Sequence, residues 1–215
     1  MKLYNANLSN FAAKCRIAIY EKNAPIEIVP LPGGSLKSAE YLKIFPLGMV
    51  PALDTGNGII GESQAINELI EEQFDGTALL PNDPIDKAQV RFLCGIHDCQ
   101  LETPFRATYG HVDPSKRDQE LVDEKLAIVN AKLEVLESLA HGGEQYFMGE
   151  QFSLADCAIA PTAVFLEKFL PLLGGKAFTE SRPNLNAWWK HVQQRPSVAK
   201  ALEEHREAIQ KAFGV

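Results

Sequence analysis

The sequence predicts a small α/β unit followed by an all-α helical bundle, and three observations carry that prediction. From residue 1 to 74, short extended runs alternate with helical runs. Residues 75–86, DGTALLPNDPID, concentrate Gly, Pro, Asn and Asp, which break both periodicities. Beyond them almost nothing reads as strand, and the helical periods lengthen. The expected division is therefore 1–76, a linker at 77–86, and a helical unit at 87–215.

Taken in order, residues 2–5 read as a strand, 10–22 as a helix, and 26–30 as a second strand ended by the breaker-rich PLPGG. Residues 38–44 read as a short helix. Two strands follow at 52–54 and 58–60, joined across Thr55-Gly56-Asn57, where Gly and Asn tolerate positive φ. Residues 63–74 close the unit as an amphipathic helix, with Ile66, Leu69, Ile70 and Phe74 on one face and Glu68, Glu71 and Glu72 opposite. A helix crossing between the first two strands makes them parallel, and the order β-α-β-α-β-β-α is the thioredoxin-like one.

In the second half the clearest period is Leu126, Val129, Leu133 and Leu136, which share one helix face. Ser153-Leu154-Ala155-Asp156 reads as a capping box with Asp in the place of Glu, ahead of an apolar run from 157 to 170.

Composition narrows the function. A chain of 215 residues with 46% hydrophobic content can bury a sizeable core. Its net charge of −7, from 21 basic and 28 acidic residues, repels phosphate backbones and anionic bilayers. Neither nucleic acid nor a membrane is therefore an expected partner. The N-terminal MKLYNANLSNFAAK is interrupted by Asn and Ser before any apolar run of signal-peptide length, so a cytoplasmic location is expected. Four cysteines, Cys15, Cys94, Cys99 and Cys157, show no CxxC pair and no short Cys/His spacing. No metal is expected, and all four read as buried, reduced, small apolar residues.

Three local constellations can carry chemistry. The first, Ser9 to Arg16, lies where a strand has ended and a helix begins. A helix N-terminus offers free N–H donors and about half a positive charge, which favours an anion such as a thiolate. The plain alternative makes Ser9 an ordinary N-cap, although its reciprocal capping partner is missing because position 12 is Ala. The second is Gly48-Met49-Val50-Pro51-Ala52. Alone it says only "turn into strand", but a cis bond before Pro51 would turn the Val50 backbone outward to pair with an extended peptide. In the third, Glu62-Ser63, a carboxylate, a hydroxyl and N–H donors at a helix start can grip an α-amino acid end, or Ser63 can simply cap.

Together, in this order and spacing, these segments resemble the cytosolic glutathione S-transferase family over nearly the whole chain. Ser9-Asn10-Phe11 with Lys14-Cys15-Arg16 is similar to the serine-type motif of the theta, zeta, phi and tau classes. Gly48 to Leu53 resembles the family's GKVPAL segment with its cis-proline, and Glu62 to Ile66 its ES-x-AI helix start. Leu80-Pro81, the 153–156 capping box, Pro183 to Trp188 and Arg195 to Val198 resemble its helical half.

The resemblance implies glutathione as co-substrate, with Ser9 catalytic. It implies that Val50 and Pro51 present backbone to the cysteinyl part, that Glu62 and Ser63 hold the γ-glutamyl end, and that Phe11 lies nearby. It also implies a homodimer and a small apolar electrophile, for which Phe105, Arg106 and Tyr109 are candidate contacts where the helical half faces Ser9. Tyr4 is the rival thiol activator, but its place in the first strand reads as packing. Two residues depart from the family pattern. Met49 stands where Lys or Gln often pairs with the glycine carboxylate, and Phe45 stands where Asn is common. They leave open a second reading, a non-catalytic interaction protein of the same fold resembling the stringent starvation protein.

Overall fold

The computed structural model describes residues 1–140 and 145–215. Strands β1 (Lys2–Asn5), β2 (Glu27–Pro30), β3 (Ala52–Asp54) and β4 (Ile59–Ile60) alternate with helices α1 (Asn10–Lys22), α2 (Ala39–Ile44) and α3 (Ser63–Gln73). The sheet order is β2-β1-β3-β4, with β1 parallel to β2 and β3 antiparallel to both of its neighbours. The expected thioredoxin-like unit is what forms. Ser38, read as the first residue of α2, is instead its cap and accepts the Tyr41 N–H.

The remaining helices are α4 (Pro84–Gly95), α5 (Glu102–Arg106), α6 (Gln119–Leu139), α7 (Leu154–Leu172), α8 (Pro183–Val192) and α9 (Pro196–Phe213), with a π-helical stretch, Ile96–Leu101, between α4 and α5. The α6 face follows the sequence period, since Val122, Leu126, Val129, Leu133 and Leu136 are all buried. Helix α7 is buried from Leu154 to Leu166 without a break, so it is surrounded within its unit and needs no amphipathic pattern.

Packing cuts the chain differently from its composition. One compact unit is Met1–Leu79 with Pro196–Val215, and the other is Leu80–Arg195. Helix α9, expected with the helical half at 87–215, packs on α1 instead. Its apolar stripe (Val198, Ala201, Leu202, Ile209) needs a partner, and α1 is buried along almost its whole length, including Lys14 and Arg16. Likewise α4 begins at Pro84, inside the expected linker 77–86, because Asp83 caps it by accepting the Ile85 and Asp86 N–H groups.

One cysteine departs from expectation. Cys15, Cys94 and Cys157 are buried, but Cys99 is exposed. Cys99 lies in the π-helical stretch Ile96–Leu101, where the α-helical spacing that places Cys94 on the core face no longer holds.

Candidate active site

Strand register brings the three constellations to one end of the sheet. Tyr4, near the C-terminal end of β1, lies opposite Ala52, the first residue of β3, and Leu53 lies opposite Ile60, the last residue of β4. Ser9 follows β1, Val50-Pro51 immediately precedes β3, and Glu62-Ser63 follows β4. Helices α1 and α3 then run side by side. The Cys15 thiol donates to the Ser63 carbonyl at 3.5 Å, and Asn67 Nδ2 donates to the Lys14 carbonyl at 3.4 Å.

Ser9 is the N-cap of α1, with extended backbone (φ −81°, ψ 118°), and its Oγ accepts the Ala12 N–H at 3.2 Å. Oxygen lone pairs are thus used while, among the described residues, the hydroxyl proton has no acceptor. Phe11, half-buried one residue inside the helix, gives its N–H to the Asn10 side chain.

The Val50–Pro51 peptide is cis. Among the described residues, neither the N–H nor the C=O of Val50 has a hydrogen-bond partner, whereas the neighbouring Met49 carbonyl accepts the Tyr41 hydroxyl at 2.6 Å. Burial, with Tyr4 adding to it, pushes the Tyr41 phenol up to about 12. The rings of Tyr4 and Tyr41 meet edge-on at 5.7 Å, which gives Tyr4 a packing role in this cluster.

The two departures from the family pattern have different places. Met49 is exposed. Phe45 is buried in the cluster with Tyr41 and Ala52, and a Cβ added at Gly61 would lie 2.6 Å from its ring. Glycine at 61 is therefore the counterpart of Phe45.

Glu62 adopts φ 59°, ψ 111°, a region a side-chain-bearing residue rarely occupies, and its carboxylate makes no capping bond. Such a conformation persists only when its surroundings enforce it, and it clusters at sites of function. The next residue, Ser63, is 5% exposed, so its hydroxyl sits at the floor of the surface rather than on it.

The proposed electrophile contacts lie in the other unit. Phe105 is fully buried and touches Tyr109 edge-on, so it supports rather than offers a face. Arg106 is about half exposed, pairs with the buried Glu102 carboxylate at 2.6 Å, and lies over the Tyr109 ring. The Tyr109 hydroxyl donates to Glu102 at 3.2 Å, and burial together with that carboxylate pushes its ionisation well up. Thr162 and His97 extend the chain of bonds behind Glu102. Sequence reading named Arg106 and Tyr109 as candidates but not Glu102, the buried carboxylate that both of them bond, which lacks any motif and is recognised only by its burial. Among the described residues no group of metal-ligating side chains is assembled.

Comparison with known proteins identifies the family of both units. Residues 3–78 match the family described as "Glutathione S-transferase, N-terminal domain", and residues 96–196 match "Glutathione S-transferase, C-terminal domain". A Pseudomonas putida protein named glutathione S-transferase is 30% identical, over 99% of this chain and 96% of its own length. Glutathione S-transferase 3 of Zea mays is 29% identical, over 94% and 93%. Among solved structures, glutathione transferase F7 from Populus trichocarpa superposes with a TM-score of 0.80 at 26% identity, over 95% of this chain and 98% of that one. A bacterial maleyl pyruvate isomerase of the zeta class gives 0.79 at 25% identity, over 95% and 98%.

Proposed function

Since the chain belongs to the glutathione S-transferase family and acts as a glutathione transferase, we propose that the Ser9 hydroxyl activates the bound thiol by donating a hydrogen bond to its thiolate. The observation that carries this reading is the uncommitted proton of Ser9 at the mouth of a 13-residue helix. A thiol ionises near about 8.5, so making the thiolate dominant at neutral pH needs about two units, roughly 2.7 kcal/mol. One charge-assisted hydrogen bond supplies about 1.5–3 kcal/mol and the helix terminus up to about 1. In the step itself the thiol proton passes to solvent, the sulfur pair forms the new C–S bond, and the carbon–leaving-group bond breaks with its electron pair departing on the leaving group, chloride in the case of an aryl chloride. Ser9 keeps its own proton throughout, because among the described residues no base is hydrogen-bonded to it to make the oxygen a nucleophile.

The remaining roles follow from placement. The free backbone groups of Val50 suit the cysteinyl amide, with Pro51 fixing the approach and Phe11 beside it. Glu62 and the Ser63 hydroxyl suit the ammonium and carboxylate of the γ-glutamyl end. For the glycine carboxylate, which Met49 cannot pair, we assign Lys37. Its neighbour Leu36 presents a carbonyl that a Cβ at Gly48 would approach to 2.9 Å, so this loop lies against the 48–51 segment. Arg106 and Tyr109 are the proposed electrophile contacts, supported by Phe105.

We also place the protein in the cytoplasm as a homodimer. No described helix is long and apolar enough to cross a membrane, and all four cysteines are free. On α4, Ile85 is 80% exposed and Phe92, seven residues on, is 51% exposed, an apolar strip on one helix face that suits a partner subunit. Sedimentation velocity showing only monomer would refute the dimer. The interaction-protein reading is not favoured, since the relatives are named as transferases.

The test of the catalytic reading is glutathione binding by calorimetry, paired with the ultraviolet signal of the thiolate. Binding with a lowered thiol pKa that Ser9→Ala abolishes supports it, and no binding at millimolar glutathione removes it.

A further inference from the structure

We infer that the C-terminal helix α9 positions the Ser9 hydroxyl, through His205 and through the Glu204–Arg16 ion pair, and so tunes thiol activation from the far end of the chain. The inference rests on the reading of Ser9 given above.

The segment between β1 and Ser9 has little structure of its own. A single turn bond, Ser9 N–H to the Ala6 carbonyl at 2.9 Å, closes it locally. Three further holds come from elsewhere. His205 Nδ1 lies 2.8 Å from the Asn7 carbonyl, 198 residues earlier. A carbonyl only accepts, so Nδ1 carries the proton and donates it. The Arg16 guanidinium gives two bonds from Nη1, to Asn5 Oδ1 at 2.6 Å and Asn7 Oδ1 at 2.9 Å, and those two side chains are themselves joined at 2.8 Å. Arg16 is in turn fixed by Glu204 of α9, whose Oε2 lies 3.0 Å from Nε.

Burial makes these holds stiff. Arg16 and His205 are both fully buried, so neither can exchange its protein partners for water without opening the contact between α1 and α9. The same helix is registered against α1 at other points. Tyr20 donates to the second Glu204 oxygen at 2.8 Å, Ser197 donates to Glu21 at 2.5 Å, and Lys200 sits over the Tyr20 ring. A slip of α9 along α1 would therefore break all of them together, and the 5–8 segment would lose its outer clamp. Catalytic hydrogen bonds demand placement to within about half an ångström, and the Ser9 oxygen is only two residues from the clamped Asn7 carbonyl.

Arg16, Glu204 and His205 are thus positioning residues. None is placed here in contact with glutathione. Their effect has a sign that separates positioning from bulk electrostatics. Removing the Glu204 charge leaves Arg16 less compensated, which by field alone would favour a nearby thiolate. Loss of positioning disfavours it.

The experiment uses the full-length protein and reads the pH at which bound glutathione ionises, together with kcat and KM for glutathione against an activated aryl chloride. His205→Phe, Glu204→Gln and Asn7→Ala are each expected to raise the thiol pKa by about one unit, with about a tenfold fall in kcat at neutral pH and glutathione KM held within about twofold. His205→Gln, which keeps an N–H donor, restores most of the activity. Variants that melt at lower temperature but ionise the thiol at the unchanged pH overturn the inference, as does a fall in thiol pKa for Glu204→Gln. Should His205→Phe fail to fold, the exposed Asn7→Ala, which keeps the carbonyl that His205 meets and removes the Oδ1 that Arg16 holds, carries the test through the ion-pair arm. Ser9→Ala is run alongside. If Ser9→Ala leaves the thiol pKa unmoved, the Ser9 reading itself fails. If it moves the pKa while His205→Phe and Asn7→Ala do not, only the role of α9 fails.

Discussion

Ser9 and Ser153 both cap helices, and they spend their hydroxyl groups differently. Ser153 is fully buried and belongs to a closed box: its Oγ accepts the Ala155 N–H at 3.3 Å and donates to Asp156 at 3.0 Å. Asp156 in turn accepts the Ser153 and Phe147 N–H groups and the Trp188 ring N–H. Ser38, the cap of α2, likewise gives its proton away, to the Pro32 carbonyl at 2.6 Å. Ser9 accepts one backbone N–H and keeps its proton uncommitted among the described residues. A cap whose donor is satisfied inside the protein can only stabilise it, whereas a cap with a spare donor at a helix mouth can serve a bound anion.

The sharpest way to separate the two kinds of cap is to remove the buried box. Asp156→Ala would orphan four donors at once, and unsatisfied buried donors cost about 1–3 kcal/mol each before relaxation. Urea unfolding should show a loss of about 3 kcal/mol or more, while the thiol pKa of the still-folded fraction stays unchanged; a shift in that pKa would break the comparison. Ser9→Ala should behave in the opposite way. Its thiol should ionise about two units higher and kcat at neutral pH should fall about a hundredfold, with only about 1 kcal/mol lost from unfolding as for an ordinary N-cap. A large stability loss with unaltered thiol would make Ser9 a cap and nothing more.

A smaller effect tests the wall beside the site. The buried Tyr41 hydroxyl, held on the Met49 carbonyl, ionises near 12 rather than at its ordinary 10. A raised folded-state value means that the stability it supports is fully present below about pH 10 and is lost as pH rises towards 12, on the order of 2 kcal/mol in all. Denaturant titrations of wild type and Tyr41→Phe should therefore converge across that window and run parallel below it. The smallest change expected is at Lys37. Its replacement by Ala should raise the glutathione KM a few-fold and leave kcat unaltered, because an exposed cation contributes little and acts on binding alone.

How much was legible in the sequence depends on how local each feature is. The α1 boundaries, the α6 face and the Ser153 box are written in neighbours three or four residues apart, so periodicity and capping rules reach them. The three site segments were legible as motifs, although each alone also reads as plain turn or cap. Cys99 and the last helix were misread because burial and packing partners are not local properties. Glu102 was invisible for the same reason, since a carboxylate on a helix normally faces water and this one is buried against Thr162.

The sequence by itself determined the order of strands and helices, the serines at the starts of α1, α2 and α7, and the residue types of the proposed thiol-activating site. Only the tertiary structure decided which serine keeps a proton to donate. Asp156 accepts the hydrogen bond of the Ser153 hydroxyl from three residues away, which a chain can specify locally. Which groups meet Ser9 and the segment before it depends on strands brought into register and on His205, 198 residues beyond the Asn7 whose carbonyl it meets. Hydrogen bonds extend about three ångströms whatever the distance along the chain, so only folding can say which groups they join.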